Sequence, residues 1–278
     1  MTILRTLDRA ALLGPGDHVP WAYADLTAFR PACVDFFAEG ARRGERLMYA
    51  GDRPRGVLVD DLAGLPGRDT MLEGGGLTVH TVDELYLATR PFDARALVET
   101  FRHSAEAALT DGYSGLRVVG DLTLLVLDPD LTDVMVEYEL AADAMYAATA
   151  ATALCAVDRT RVGDRWRRVS VLHRIRHASG EEPMFALTLS RQDVRLIGEV
   201  DIACTDDLDE LLRFLGASTA GPLSVTLVDL DFIDAAGTRV LARFQRAMAS
   251  AGRAVRFRQL SAAARRTFAA FALEEETS

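Results

Sequence analysis

Apolar positions along the first 160 residues switch between helical spacing and short continuous runs. Leu26, Phe29, Cys33, Phe36, Phe37 and Gly40 fall on one face of a helix that should end before Gly44. Residues 46–50 read as a short buried strand, 57–62 as a helix and 77–82 as a second strand. Asp93 caps a longer helix carrying Leu97, Phe101, Ala105 and Ala108. Strands are expected at 116–119, 124–127 and 153–157. The last two are separated by a helix with Val134, Met135, Tyr138, Ala142, Met145 and Tyr146 on its stripe. Strands alternating with helices point to an α/β domain with a parallel sheet and right-handed crossovers.

The pattern then changes. A basic, weakly patterned stretch covers 161–177, and Ala-Ser-Gly-Glu-Glu-Pro at 178–183 reads as a linker between domains of 1–177 and 184–278. Phe185, Leu187 and Leu189 alternate as in a half-exposed strand, and 194–200 forms its hairpin neighbour. Leu208, Leu211, Leu212 and Leu215 make a helix stripe ended by Gly216. One strand should then stop at Asp234, turn tightly, and lead into a helix burying Val240, Leu241, Phe244, Ala247 and Met248. Val255 and Phe257 mark another strand, and Ser261 caps a closing helix with Phe268 and Phe271. The order ββαβαβα fits a small α/β domain with a mixed sheet.

Composition narrows the function classes. With 278 residues, 49% hydrophobic and 26% charged, the chain is an ordinary globular protein long enough for two cores. Its apolar runs are strand-sized, so no membrane span is expected, and no signal-peptide pattern opens the chain, which suggests a cytoplasmic location. A net charge of −10 argues against a nucleic-acid partner. All 31 basic residues are Arg, so any mechanism that needs a Lys nucleophile, base or phosphate anchor is excluded. Cys33, Cys155 and Cys204 are widely spaced within apolar patterns and read as buried free thiols.

The run Asp234-Ala235-Ala236-Gly237-Thr238 opens a helix beside a sheet, where free backbone N–H groups favour an anion. It resembles the switch segment of STAS domains, the fold of bacterial anti-sigma factor antagonists, which carry Asp-Ser-Ser-Gly there. Gly198-Glu-Val-Asp201 and Ala251-Gly-Arg253 are similar to other parts of that family. The resemblance implies that residues 184–273 form a protein-docking domain whose partner is an anti-sigma factor or sensor-kinase-like protein. The family's phosphorylated Ser is Ala236 here. Three readings stand: a purely structural turn capped by Asp234, a permanently binding-competent surface, or a phosphoacceptor moved to Thr238. The last requires a side chain rotated about 200° from the family's position. Scaffolding outside any sigma cascade also fits the fold.

In the first domain, Gly51 and Gly56 have P-loop spacing, yet Val57 and Leu58 stand where Lys and Ser/Thr belong. Hydrolysis of ATP by that mechanism is excluded. Gly16-Asp-His-Val19, Gly115-Leu-Arg117, Tyr138-Glu139 and Leu154-Cys-Ala-Val-Asp158 are similar to the MEDS domain, named for methanogens, methylotrophs and the dichloromethane-responsive regulator. His173 resembles a His near that family's C-terminal edge. The resemblance implies a RecA- or KaiC-like sheet without a functional P-loop, a sensing role for a small organic ligand, no catalysis and no cofactor. His18, Trp21, Arg117, Tyr138, Glu139 and Asp158 are the candidate pocket residues. Each also has a structural alternative: a core His and Trp, an Arg117–Glu139 ion pair joining helix to sheet, and a turn capped by Asp158. His173 and His177 are spaced as a metal pair on one helix face, but no third ligand is evident and their segment is rich in Arg, so no metal site is expected. The Arg-rich stretch itself suits an acidic protein face better than nucleic acid.

The expectation is a two-domain signalling regulator in which ligand binding to the first domain alters exposure of the turn at 234–238. The rival is a nucleotide-binding or nucleotide-hydrolysing enzyme with a regulatory second domain.

Overall fold

A computed structural model describes residues 5–88, 91–177, 183–271, 273 and 275. Most of the expected linker at 178–183 lies outside them. The chain separates into two compact units. One gathers Thr6–Val169 with Ile175–Gly180, and the other Ser170–Arg174 with Glu181–Ser278 and the N-terminal residues up to Arg5.

The first unit is built on β1 (Arg5–Leu7), β2 (His18–Tyr23), α1 (Leu26–Arg43), β3 (Arg46–Gly51), α2 (Arg55–Asp61), α3 (Arg68–Glu73), β4 (Leu77–Thr81), α4 (Val82–Leu85) and α5 (Ala94–Thr110). It continues through β5 (Leu116–Asp121), α6 (Thr123–Leu127), α7 (Thr132–Ala147), β6 (Ala151–Asp158), α8 (Arg159–Val162), α9 (Trp166–Ser170) and β7 (Ile175–His177). Five strands form a wholly parallel sheet in the order β2-β6-β5-β3-β4, while β1 and β7 pair separately. Every residue of β5 is buried, as a parallel sheet covered on both faces requires. One face packs Phe101, Tyr138 and Tyr146 from α5 and α7; the other packs Phe29, Phe36 and Phe37 from α1. Helix α1 begins where Asp25 accepts a hydrogen bond from Thr27 N at 2.9 Å and ends at Gly44, whose φ of 73° is left-handed.

Two local expectations change, and one strand was not expected. Residues 124–127, expected as a strand, form α6: a short uninterrupted apolar run carries no period, and the Thr123 N–H bonded to Asp121 starts a helical turn instead. Strand β4 stops at Thr81, which caps α4 in a box with Glu84 and turns Val82 into a helix residue. Strand β2 has no counterpart among the expected strands; it runs unbroken through Pro20, which lacks an N–H to donate and is tolerated because β2 is at an edge of the sheet.

The second unit comprises β8 (Phe185–Ser190), β9 (Asp193–Val200), α10 (Thr205–Ser218), β10 (Leu223–Thr226), β11 (Leu230–Ile233), α11 (Ala235–Ser250), β12 (Val255–Arg258) and α12 (Ala262–Ala270). Its sheet runs β11-β9-β10-β12, with β8 antiparallel on β9, so it is mixed as expected. The single strand expected before Asp234 is two. The chain breaks after Thr226, and β10 pairs with the start of β9 while β11 pairs with its end. Asp229 sits in that break, where its carboxylate meets Arg195 at 2.8 Å and its carbonyl accepts from Gly198 N at 2.9 Å.

Candidate functional site

The turn into α11 is fixed by one side chain. Asp234 Oδ1 accepts the Gly237 N–H at 2.8 Å, and Oδ2 accepts the Ile202 N–H at 3.0 Å, joining the helix start to the segment after β9. A methyl at Gly237 would stand 2.5 Å from Val200 Cγ1, so the close approach of helix to sheet excludes a larger residue. Gly237 and Thr238 are buried, Ala236 is half-buried, and Ala235 faces solvent. Ile202, whose N–H bonds Asp234, is 74% exposed, and Phe232, two residues before Asp234, is 46% exposed. Thr238 is wholly buried and its hydroxyl donates to the Asp234 carbonyl at 2.8 Å. This conformation therefore withholds the relocated phosphoacceptor from a kinase.

The six pocket candidates of the first unit do not gather at one site, although His18 and Glu139 meet. His18 and Trp21 are three apart on β2 and so point to opposite faces. Trp21 stacks on His177 with ring centroids 3.7 Å apart, which removes His177 from any pairing with His173 on a helix; His173 is buried in the other unit. Arg117 does not pair with Glu139. It lies on the α1 face, where its guanidinium bonds Glu45, donates to the carbonyl of Leu13 at 3.0 Å, and covers the Phe36 ring at 4.5 Å. A methyl on Gly40 would meet its Cδ at 2.6 Å, so α1 leaves the space that this side chain fills. Sequence reasoning missed Glu45 because acidic partners outnumber Arg and spacing does not select among them. Tyr138 is buried against Tyr86 and Phe92. Asp158 accepts from Thr160 N at 3.0 Å and caps α8.

At the C-terminal ends of the parallel strands, where open α/β sheets bind ligands, polar groups engage one another. Tyr23 Oη donates to Asp121 Oδ2 at 2.8 Å, Thr123 N donates to Asp121 Oδ1 at 3.0 Å, and Asp158 N donates to Thr123 Oγ1 at 2.9 Å. Burial raises the Asp121 carboxyl, and burial followed by the Asp121 charge raises the Tyr23 phenol. Asp52 pairs with Arg161. Just past Gly56, Leu58 of α2 is fully buried, with Cδ2 2.5 Å from the place a Gly51 Cβ would take. An apolar side chain thus packs against Gly51 at the position where a P-loop carries its Ser/Thr.

On the other face of the sheet, His18 meets two potential metal ligands. Its Nε2 lies 3.0 Å from Cys155 Sγ and 3.4 Å from Glu139 Oε2, and its Nδ1 lies 4.0 Å from Asp143 Oδ1. Burial and then the Glu139 charge push the Cys155 thiol well up. The register that pairs His18 with Ala153 puts His18 and Cys155 on one face, and α7 supplies Glu139 and Asp143 above it.

Compared with known families, residues 17–174 match the model described as MEDS, the methanogen/methylotroph, DcmR sensory domain. Residues 184–275 match STAS_2, described as "Mlab, STAS domain". No curated protein matches the chain. No described helix is long and apolar enough to cross a membrane.

Proposed function

The chain belongs to the MEDS sensory-domain family and continues into a STAS domain, and on that premise we propose a cytoplasmic regulator that acts by docking. A sensory and a STAS domain in one chain suggest a signalling protein. The proposed partner is an anti-sigma factor or related sensor-kinase-like protein, and the proposed contact is the surface from Asp234 to Thr238. The observation that carries this reading is the pair of hydrogen bonds that Asp234 accepts from Gly237 N and Ile202 N. It holds Ala235 and Ala236 in one geometry beside exposed Ile202 and Phe232. A rigid apolar patch at a helix start loses little conformational entropy on binding.

With Ala at 236 and Thr238 buried, the surface stays in one chemical state. Regulation then falls to the first domain, by a small organic ligand, and not to phosphorylation of the turn. Leu58 of α2, buried against Gly51, supports a sensory domain that does not hydrolyse nucleotides. The test is affinity purification of the full chain from its own cells beside the Ala235→Arg variant. Recovery of an anti-sigma factor or kinase-like regulator by the first and its loss from the second is expected. Equal recovery by both, or turnover of Mg²⁺-ATP by the purified chain, would overturn the proposal.

A further inference from the structure

We propose that the sensory domain binds a divalent transition-metal ion of the zinc class through His18, Glu139 and Cys155. Three elements deliver the donors: β2 the imidazole, β6 the thiol and α7 the carboxylate. Their ligand atoms lie within 4.8 Å of one another, and all three residues are buried, at 2%, 0% and 4% exposure.

The separations fit a tetrahedral ion. Zinc bond lengths of about 2.3 Å to sulfur and about 2.0–2.2 Å to nitrogen or oxygen put tetrahedral ligand atoms about 3.4–3.6 Å apart. The His18–Glu139 distance is 3.4 Å and the His18–Cys155 distance 3.0 Å. A small outward shift of Sγ therefore admits the ion, without rebuilding the strands. The donor set, one imidazole, one thiolate and one carboxylate, suits a borderline-soft divalent cation and disfavours Mg²⁺ or Ca²⁺, which take oxygen ligands.

The surroundings have the form that supports a metal-bound imidazole. Nε2 faces the other two donors, and Asp143 Oδ1 stands 4.0 Å from Nδ1, beyond a direct hydrogen bond. A carboxylate charge at that distance favours a cation on the ring. Tyr146 stacks on the same ring at 4.9 Å between centroids and limits its rotation. Asp143 and Glu139 are one helical turn apart on α7, which brings both carboxylates to one imidazole. Binding the ion releases the Cys155 proton to solvent and leaves the thiolate as ligand. Remaining coordination positions are filled from outside these three residues.

The site is independent of the docking surface, and its test uses the full-length chain. After chelator treatment and dialysis, Co²⁺ is titrated while thiolate-to-cobalt charge-transfer absorption in the near ultraviolet is recorded. One equivalent should saturate the band, and Zn²⁺ should abolish it. Cys155→Ser should lose the band, while Ala235→Arg should keep it. Asp143→Asn removes no ligand and should weaken Co²⁺ binding about 10- to 100-fold. It therefore decides the matter even where Cys155→Ser fails to fold. No band in the full chain, a band unchanged by Cys155→Ser, or Asp143→Asn binding with full-chain affinity would overturn the assignment.

Discussion

Replacing Asp234 with Ala removes two backbone hydrogen bonds at once, and the structure sets the size of the loss. The bond to Gly237 N at 2.8 Å is a helix N-cap, worth about 1 kcal/mol. The bond to Ile202 N at 3.0 Å is made beside solvent, since Ile202 is exposed, and contributes about 0.5–1 kcal/mol. Together they predict a loss of about 1.5–2 kcal/mol. Asn caps helices about as well as Asp and offers one carbonyl oxygen, so Asp234→Asn should lose only the second bond, about 0.5–1 kcal/mol. Tryptophan fluorescence does not report on this domain, because Trp21 and Trp166 both lie in the other unit. Native-state hydrogen exchange, read by mass spectrometry on peptides from 223–258, measures the loss directly. Peptides covering 46–51 serve as the control and should not change. A loss below about 0.5 kcal/mol for Ala, or an equal loss for Asn and Ala, would refute the claim that this carboxylate fixes the turn.

Other perturbations probe the frame. Glu45→Ala strands the buried Arg117 charge and should cost about 3–5 kcal/mol in urea denaturation, while the Glu45→Leu, Arg117→Met pair should recover most of it. Gly115→Ala drives a methyl to 2.2 Å from the Ala150 carbonyl oxygen and should prevent accumulation of folded protein, whereas Gly56→Ala meets nothing within 4 Å and should stabilise by about 0.5–1 kcal/mol in the same assay. Burial raises the Cys204 thiol to about 11, above the ordinary value near 8.5. The folded state then holds this proton longer than the unfolded state. Its stabilising contribution is complete at pH 8 and falls as pH rises toward 11, and Cys204→Ala should flatten that decline in pH-dependent denaturation.

The fold was legible where periodicity was long. The stripe of α1, from Leu26 to Gly40, and that of α5, from Leu97 to Ala108, each point to one core and read directly from spacing. The short run at 124–127 was not legible, because four apolar residues in succession suit a buried strand and a buried turn of helix equally. The strand break after Thr226 was also hidden: nothing in an alternating pattern marks a partner exchange along β9. At the candidate sites, Asp234 as a cap was one of the readings the strand–turn–helix pattern offered, whereas the close contact at Gly237 was not. The meeting of His18, Glu139 and Cys155 did not, since residues from three distant segments are joined only by register and by which face α7 covers. Only the register, which sets Cys155 beside Pro20, puts His18 and Cys155 on one face.

The central claim is that this chain acts by docking through the start of α11, and cross-linking at that surface tests it most directly. A photo-reactive residue in place of Ala236, installed in the full chain within its own cells, should give one dominant adduct with a regulatory protein. The same residue in place of Ser250, exposed at the far end of the helix, should give none of that adduct. An identical adduct from both positions, or its absence from Ala236 alone, would contradict the account.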